Sequence, residues 1–113
     1  MTSECLFCRI ASGNIPAGLV AETDDAVAFR DINPQAPLHV LVIPRMHIDS
    51  LATATDSALL GSLMTLAARI AKEQGYAESG YRTVVNTGPD GGQSVGHLHI
   101  HVLAGRHLDW PPG

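Results

Sequence analysis

Three histidines alternate with apolar residues in His97-Leu98-His99-Ile100-His101-Val102-Leu103. Residues two apart on an extended strand share a face, so this order sends three imidazoles to one side and Leu98, Ile100 and Val102 into a core. Neighbouring imidazoles would then lie roughly 6–7 Å apart, close enough to act on one substrate group. Imidazole can attack, accept a proton or donate one near neutral pH, so the pattern suits a nucleophile working beside a proton carrier. Two other readings fit the same residues: a solvent-facing polar strand, and a metal ion held by the three imidazoles alone.

The segment leading into this strand, Asn86-Thr87-Gly88-Pro89-Asp90-Gly91-Gly92-Gln93-Ser94-Val95-Gly96, is rich in glycine. It offers backbone N–H groups unobstructed by side chains, with the Gln93 amide and Ser94 hydroxyl beside them, and such a loop can wrap an anion. It is not a P-loop, because no Gly-Lys-Ser/Thr follows and the next element reads as a strand. Joined to the histidines, it suggests a phosphate held against imidazoles.

The elements that must position these groups follow from pattern and punctuation. Glu4 to Ser12 is expected as a short helix ended by Gly13, and Ile15-Pro16-Ala17-Gly18 as a turn. Leu19 to Glu22 and Ala26 to Arg30 read as a hairpin. Asn33-Pro34-Gln35-Ala36-Pro37 is a loop, and His39 to Ile43 a central strand closed by Pro44. Leu59, Leu60, Leu63, Leu66, Ala67, Ile70 and Ala71 recur at helical spacing, predicting a helix over Asp56 to Gln74 with Thr55 or Asp56 as N-cap and Gly75 as terminator. Tyr81 to Asn86 and Leu98 to Ala104 are the last two strands. The order predicts an α+β domain, an antiparallel sheet with its helices on one face, and the tail Asp109 to Gly113 is irregular.

With 113 residues, no internal repeat and no long linker, the chain is expected to form one domain over residues 1–113. Its formal charge of −4, with seven scattered basic side chains, argues against binding a nucleic acid polymer. No apolar run approaches the ~20 residues that span a bilayer, and the N-terminus lacks a signal-peptide pattern. The expectation is a soluble cytoplasmic protein without membrane partners, in which Cys5 and Cys8 are free thiols or metal ligands before they are a disulfide.

Taken together, these motifs resemble the histidine-triad family. His97 to Leu103 matches its His-φ-His-φ-His-φ-φ signature, with φ apolar. Asp90-Gly91-Gly92-Gln93-Ser94-Val95 and Trp110-Pro111-Pro112-Gly113 look like the Hint branch of nucleotide-binding proteins. Phe29 to Pro37 and Val42 to His47 are similar to the family's upstream blocks. The resemblance implies a five-stranded antiparallel sheet with one main and one shorter N-terminal helix, pairing into a homodimer with a continuous sheet. It also implies hydrolysis of purine nucleoside phosphoramidates, of the adenosine monophosphate–amine or aminoacyl-adenylate type, through a nucleotidyl-histidine intermediate.

By the same resemblance, His99 is the nucleophile and the carbonyl of His97 fixes its tautomer. His101 stabilises the phosphate, and Ser94 assists the leaving nitrogen, which departs badly unless protonated. Asn86, Gly92, Gln93 and Val95 match the phosphate and leaving-group side, Asp31 matches the carboxylate that accepts the ribose hydroxyls, and Phe7, Ile10, Ile15, Phe29 and Ile32 match the purine slot. Cys5-Leu6-Phe7-Cys8 is a C-x₂-C pair which, with His47 and His97, would complete a tetrahedral structural zinc site. Two buried free thiols with a surface His47, or a redox pair, are the competing readings. His39 is expected as a hydrogen-bonded sheet residue outside the catalytic set and His107 as exposed. Ala104 and Gly96 depart from the common pattern, and Gly96 bears on the width of the leaving-group side. A dinucleoside polyphosphate hydrolase of the Fhit type and a nucleotide-binding regulatory module are the competing functions.

Overall fold

The computed structural model describes residues 5–113, and Glu4, the expected start of the first helix, lies outside them. Strands β1 (Leu19–Glu22), β2 (Ala26–Arg30), β3 (Leu38–Pro44), β4 (Tyr81–Val84) and β5 (Ile100–Ala104) form one sheet. Their spatial order is β1-β2-β3-β5-β4, antiparallel at every join. Helices are α1 (Leu6–Ala11), α2 (Ser57–Glu73) and the single turn α3 (Gly88–Gly91).

Every residue of β3 is buried. A strand that is apolar on both parities needs cover on both sides, so the two main helices lie on opposite faces rather than sharing one, as the α+β pattern had suggested. On one face, Val40 and Val42 join Ala28, Leu98, Ile100 and Val102 against Leu63, Leu66, Ala67 and Ile70 of α2. On the other, Leu41 and Ile43 join Val27 and Phe29 against Phe7 and Ile10 of α1. Each such Leu, Ile or Phe contributes roughly 1.5–3 kcal/mol by leaving water.

Helix boundaries follow their caps. The Asp56 carboxylate accepts from the Leu59 N–H at 3.1 Å, and Gly75 reverses the chain at φ +94°. At α1 the cap is Cys5, whose sulfur accepts from the Cys8 N–H at 3.4 Å, so the first cysteine also starts the helix. Gly105 follows β5 at φ +98°, where a Cβ would lie 2.7 Å from that of Pro37, so only glycine fits this turn.

Two strands are shorter than their sequence suggests. β4 ends at Val84, not Asn86, and β5 begins at Ile100, not Leu98. The cause is shared: the Leu98 N–H donates to the Ile48 carbonyl at 2.7 Å instead of a β4 partner, and His97 is wholly buried in a bend. The chain is drawn off the sheet here, which leaves the end of β4 without a ladder. The glycine-rich stretch is likewise not all loop, since it carries α3.

Candidate functional site

Of the three alternating histidines, only His101 lies in a regular strand. Leu98, Ile100 and Val102 enter the core as expected. The imidazoles do not form one row: His99 and His101 meet with centroids 5.1 Å apart, while His97 turns toward His47, 5.0 Å away. A metal site of three triad imidazoles is therefore not what the fold builds.

Hydrogen bonds set the proton on each ring. A carbonyl can only accept, so the 2.7 Å contact from His99 Nδ1 to the His97 oxygen makes Nδ1 the protonated nitrogen and leaves Nε2 bare. At His39 the direction is reversed, because Nδ1 accepts from the Gln35 N–H at 3.0 Å and must be bare. Its Nε2–H then donates to His101 Nδ1 at 2.9 Å, with the Asp31 carboxylate 3.5 Å away. His101 is thereby held with its proton on Nε2. Two neighbouring rings thus carry opposite tools: a lone pair on His99 and an N–H donor on His101.

The electrostatics keep His101 and His39 neutral. Burial, and then the neighbouring His99 and His39 rings, push His101 down from 6.5 to about 4, while burial also lowers His39. Above about pH 6.5 the folded and unfolded chains both hold these rings neutral. Between about pH 6.5 and 4 the unfolded chain binds protons that the folded one refuses, so stability falls as pH falls. The His101 ring resonances are expected to show no titration between about pH 7 and 5, and the calorimetric melting temperature to drop across that range. A His101 midpoint near 6.5 would contradict the assignment.

His99 and His101 line a cavity of about 420 Å³ together with Phe7, Ile10, Ile15, Phe29, Asp31, Ile32, Ser94 and Val95. That volume suits a small ligand. Phe7 closes one side, packing edge-on against Phe29 at 5.4 Å and against His99 at 5.2 Å. Ile32 is fully exposed and stands at the mouth. Asn86, Gly92 and Gln93 are not among the lining residues. The Gln93 amide instead accepts from the Gly88 N–H and donates to the Asp49 and Val95 carbonyls, clasping the loop that presents Ser94 and Val95. A second cavity, about 660 Å³ and lined by Tyr76, Tyr81, Arg82 and Arg106, shares no residue with the first and lies along the β4 edge. His107 is exposed beside Asp109, as expected.

Cys5, Cys8, His47 and His97 bring their four donor atoms within 4.8 Å of one another. The sulfur-to-nitrogen separations are 3.2 Å (Cys8 to His47), 3.4 Å (Cys5 to His97) and 3.5 Å (Cys8 to His97). Tetrahedral zinc with ordinary S and N bond lengths would space such donors about 3.6 Å apart, so the residues fit the ion. The remaining ring nitrogens are anchored: His47 Nε2–H on Asp49 at 2.7 Å and His97 Nε2–H on the Pro44 carbonyl at 2.9 Å. Both Nδ1 atoms are thus bare and turned to the sulfurs, the arrangement of ligand imidazoles. Burial and the adjacent Cys5 thiol push Cys8 up to about 11, an opposition to ionisation that a bound cation relieves.

His39 is the participant that sequence reading passed over. Its signal was parity: it shares a face with Leu41 and Ile43, the face toward the cavity, and antiparallel pairing of Leu41 with His101 puts it diagonally beside that ring.

A family model described as "HIT domain" matches residues 12–108. The chain is 46% identical to the maize "14 kDa zinc-binding protein", covering 98% of this chain and 89% of that one. The crystal structure of a HIT family hydrolase from Legionella pneumophila superposes with a TM-score of 0.95 at 48% identity, over 97% of this chain and all of the other. A histidine triad nucleotide-binding protein from Candida albicans superposes with a TM-score of 0.84 at 31% identity, over 96% of this chain and 83% of that one.

Proposed function

The chain belongs to the HIT domain family, and on that premise we propose that it hydrolyses purine nucleoside phosphoramidates through a nucleotidyl-histidine intermediate. One observation carries the reading: a bare Nε2 on His99 and an N–H on His101 line the same cavity. His99 Nε2 attacks the α-phosphorus, the phosphorus–nitrogen bond breaks, and the amine departs with a proton that solvent supplies through the Ser94 hydroxyl, the same proton count being returned to solvent when water cleaves the intermediate. The His101 Nε2–H donates to a phosphate oxygen as charge builds there. Water then cleaves the phosphorus–histidine bond, giving nucleoside monophosphate and a free His99.

The purine enters the slot of Phe7, Ile10, Ile15, Phe29 and Ile32, and Asp31 accepts the ribose hydroxyls. Ser94 and Val95 flank the leaving group, and Asn86, Gly92 and Gln93 shape the loop around it. The Hint branch within the family is favoured by Asp90 to Val95 and by Trp110 to Gly113. Cys5, Cys8, His47 and His97 hold a structural zinc, a reading supported by the donor spacing and by the maize relative's name. That ion ties α1 to the start of the triad and supplies no chemistry to the substrate.

We also read the chain as a single HIT domain over residues 1–113, working in the cytoplasm as a homodimer with a continuous sheet. The free edge of β4, with Tyr81 exposed on it, supports that pairing. No described helix is long and apolar enough to cross a membrane.

Turnover of an adenosine phosphoramidate and of a diadenosine polyphosphate, compared at equal concentration, tests the reading. The phosphoramidate is expected to react faster by about 100-fold or more, a difference of ~2.7 kcal/mol in barrier. Faster cleavage of the polyphosphate would overturn it in favour of the Fhit type. Binding of adenosine monophosphate with neither substrate cleaved would overturn it in favour of a regulatory module.

A further inference from the structure

His97 belongs to two sites at once. Its ring Nδ1 lies between the Cys5 and Cys8 sulfurs, and its backbone oxygen receives the His99 N–H at 2.7 Å. Both ring nitrogens are anchored and the side chain is wholly buried, so the carbonyl stands where the Cys/His cluster holds it. Phe7 makes a second link. It sits between the two cysteines in the chain, packs edge-on against His97 at 6.0 Å and His99 at 5.2 Å, and lines the cavity. The cluster therefore positions both the nucleophile's proton and a wall of the purine slot.

The two cysteines are also partly accessible, spaced three apart at the start of a helix, with their sulfurs within 4.8 Å. We propose that this cluster is a redox switch for the site, in which a peroxide joins Cys5 to Cys8 and so uncouples His97 from His99. The proposal rests on the reading of His99 as the nucleophile. In the step, the two zinc-bound thiolates form one S–S bond and give up two electrons, hydrogen peroxide takes up those electrons and two protons from solvent as its O–O bond breaks, giving two waters, and the zinc ion is released. The disulfide sulfurs carry no negative charge, so the cluster loses two of its four donors. His97 Nδ1 is then a buried acceptor without a partner, which the ring relieves by turning. The carbonyl moves with it, and His99 is released from its single tautomer. A dithiol with added zinc reverses the change.

The test uses full-length protein, labelled with ¹⁵N at histidine, loaded with zinc and treated with stoichiometric hydrogen peroxide. Expected together are loss of two hydrogens by mass, release of zinc to a coloured chelator, collapse of the separate protonated and bare nitrogen signals of His99, and a fall of about 10- to 100-fold in phosphoramidate hydrolysis. Dithiol plus zinc restores all four. A Cys5→Ser, Cys8→Ser double variant starts with lowered hydrolysis and shows no response to peroxide.

Oxidised protein whose His99 signals and hydrolysis match the reduced form would overturn the switch, as would failure of the disulfide to form. General collapse of the sheet signals, Val40 and Val102 included, would overturn it by showing unfolding in place of a local change. If the untreated protein hydrolyses no phosphoramidate while the His99 signals still respond to oxidation, the coupling stands and the proposed function falls.

Discussion

Replacing His99 by alanine is expected to lower kcat/KM for an adenosine phosphoramidate by about 10⁴-fold or more while adenosine monophosphate still binds within a few-fold of its original affinity. The expectation comes from elimination among four rings. His97 turns its bare nitrogen to the cysteines, both nitrogens of His39 are engaged, and His101 is held with its proton outward. His99 Nε2 is left as the lone pair in the cavity. A loss of 10⁴ corresponds to ~5.5 kcal/mol of transition-state stabilisation, more than any single donor in the site is expected to supply. Alanine also removes packing against Phe7, so His99→Asn is the companion variant, since its amide can still donate to the His97 carbonyl. Steady-state kinetics with calorimetric titration of the nucleotide measure both. Hydrolysis retained in both variants would refute His99 as nucleophile.

The second large effect is expected at a residue that is not catalytic. His39→Leu should lower kcat by about 10²-fold with little change in KM, because it removes the donor that keeps the His101 proton on Nε2. Without it, His101 is free to place its proton on Nδ1 and to present a lone pair to the phosphate, which repels where it should attract. His39→Gln is expected to recover much of the loss. An amide offers an acceptor and a donor at nearly the spacing of the two imidazole nitrogens, so it can receive the Gln35 N–H and donate to His101. Leucine leaves two polar partners unsatisfied and costs ~1–3 kcal/mol of stability as well. A purely structural role would predict a loss that follows stability and no rescue by glutamine. Kinetics on both variants, with the His101 ring nitrogen shifts, distinguish the two.

Much of this was legible in the order of residues. The hairpin, the central strand, α2 with its Asp56 cap and the apolar parity of Leu98, Ile100 and Val102 all follow from local period and local hydrogen bonding. These are properties of a few consecutive residues. The C-x₂-C pair and the histidine triad restrict chemistry wherever they fold, whereas the cavity-lining Phe7, Ile10, Ile15, Phe29, Asp31 and Ile32 were named only through the resemblance to the histidine-triad family. Two expectations were overturned, each for its own physical reason. Treating His97 to Leu103 as a single strand assumed that local alternation continues, whereas the Leu98 N–H bonds the Ile48 carbonyl and the His97 ring turns to cysteines 92 and 89 positions away. Sending the helices to one face overlooked that β3 is apolar on both parities, which requires cover on both sides.

The amino-acid order by itself determined which chemistry is available: imidazoles in a triad, two thiols, a carboxylate, a flexible loop, and an apolar frame whose periods choose helix and strand. The tertiary structure alone decided on which nitrogen each ring carries its proton. His39 and His101 lie 62 positions apart, and their 2.9 Å hydrogen bond exists only because β3 and β5 pair in one register. A slip of one residue would turn His39 to the opposite face. The tautomer of an imidazole is set by the partner of its other nitrogen, and that partner is supplied by the fold.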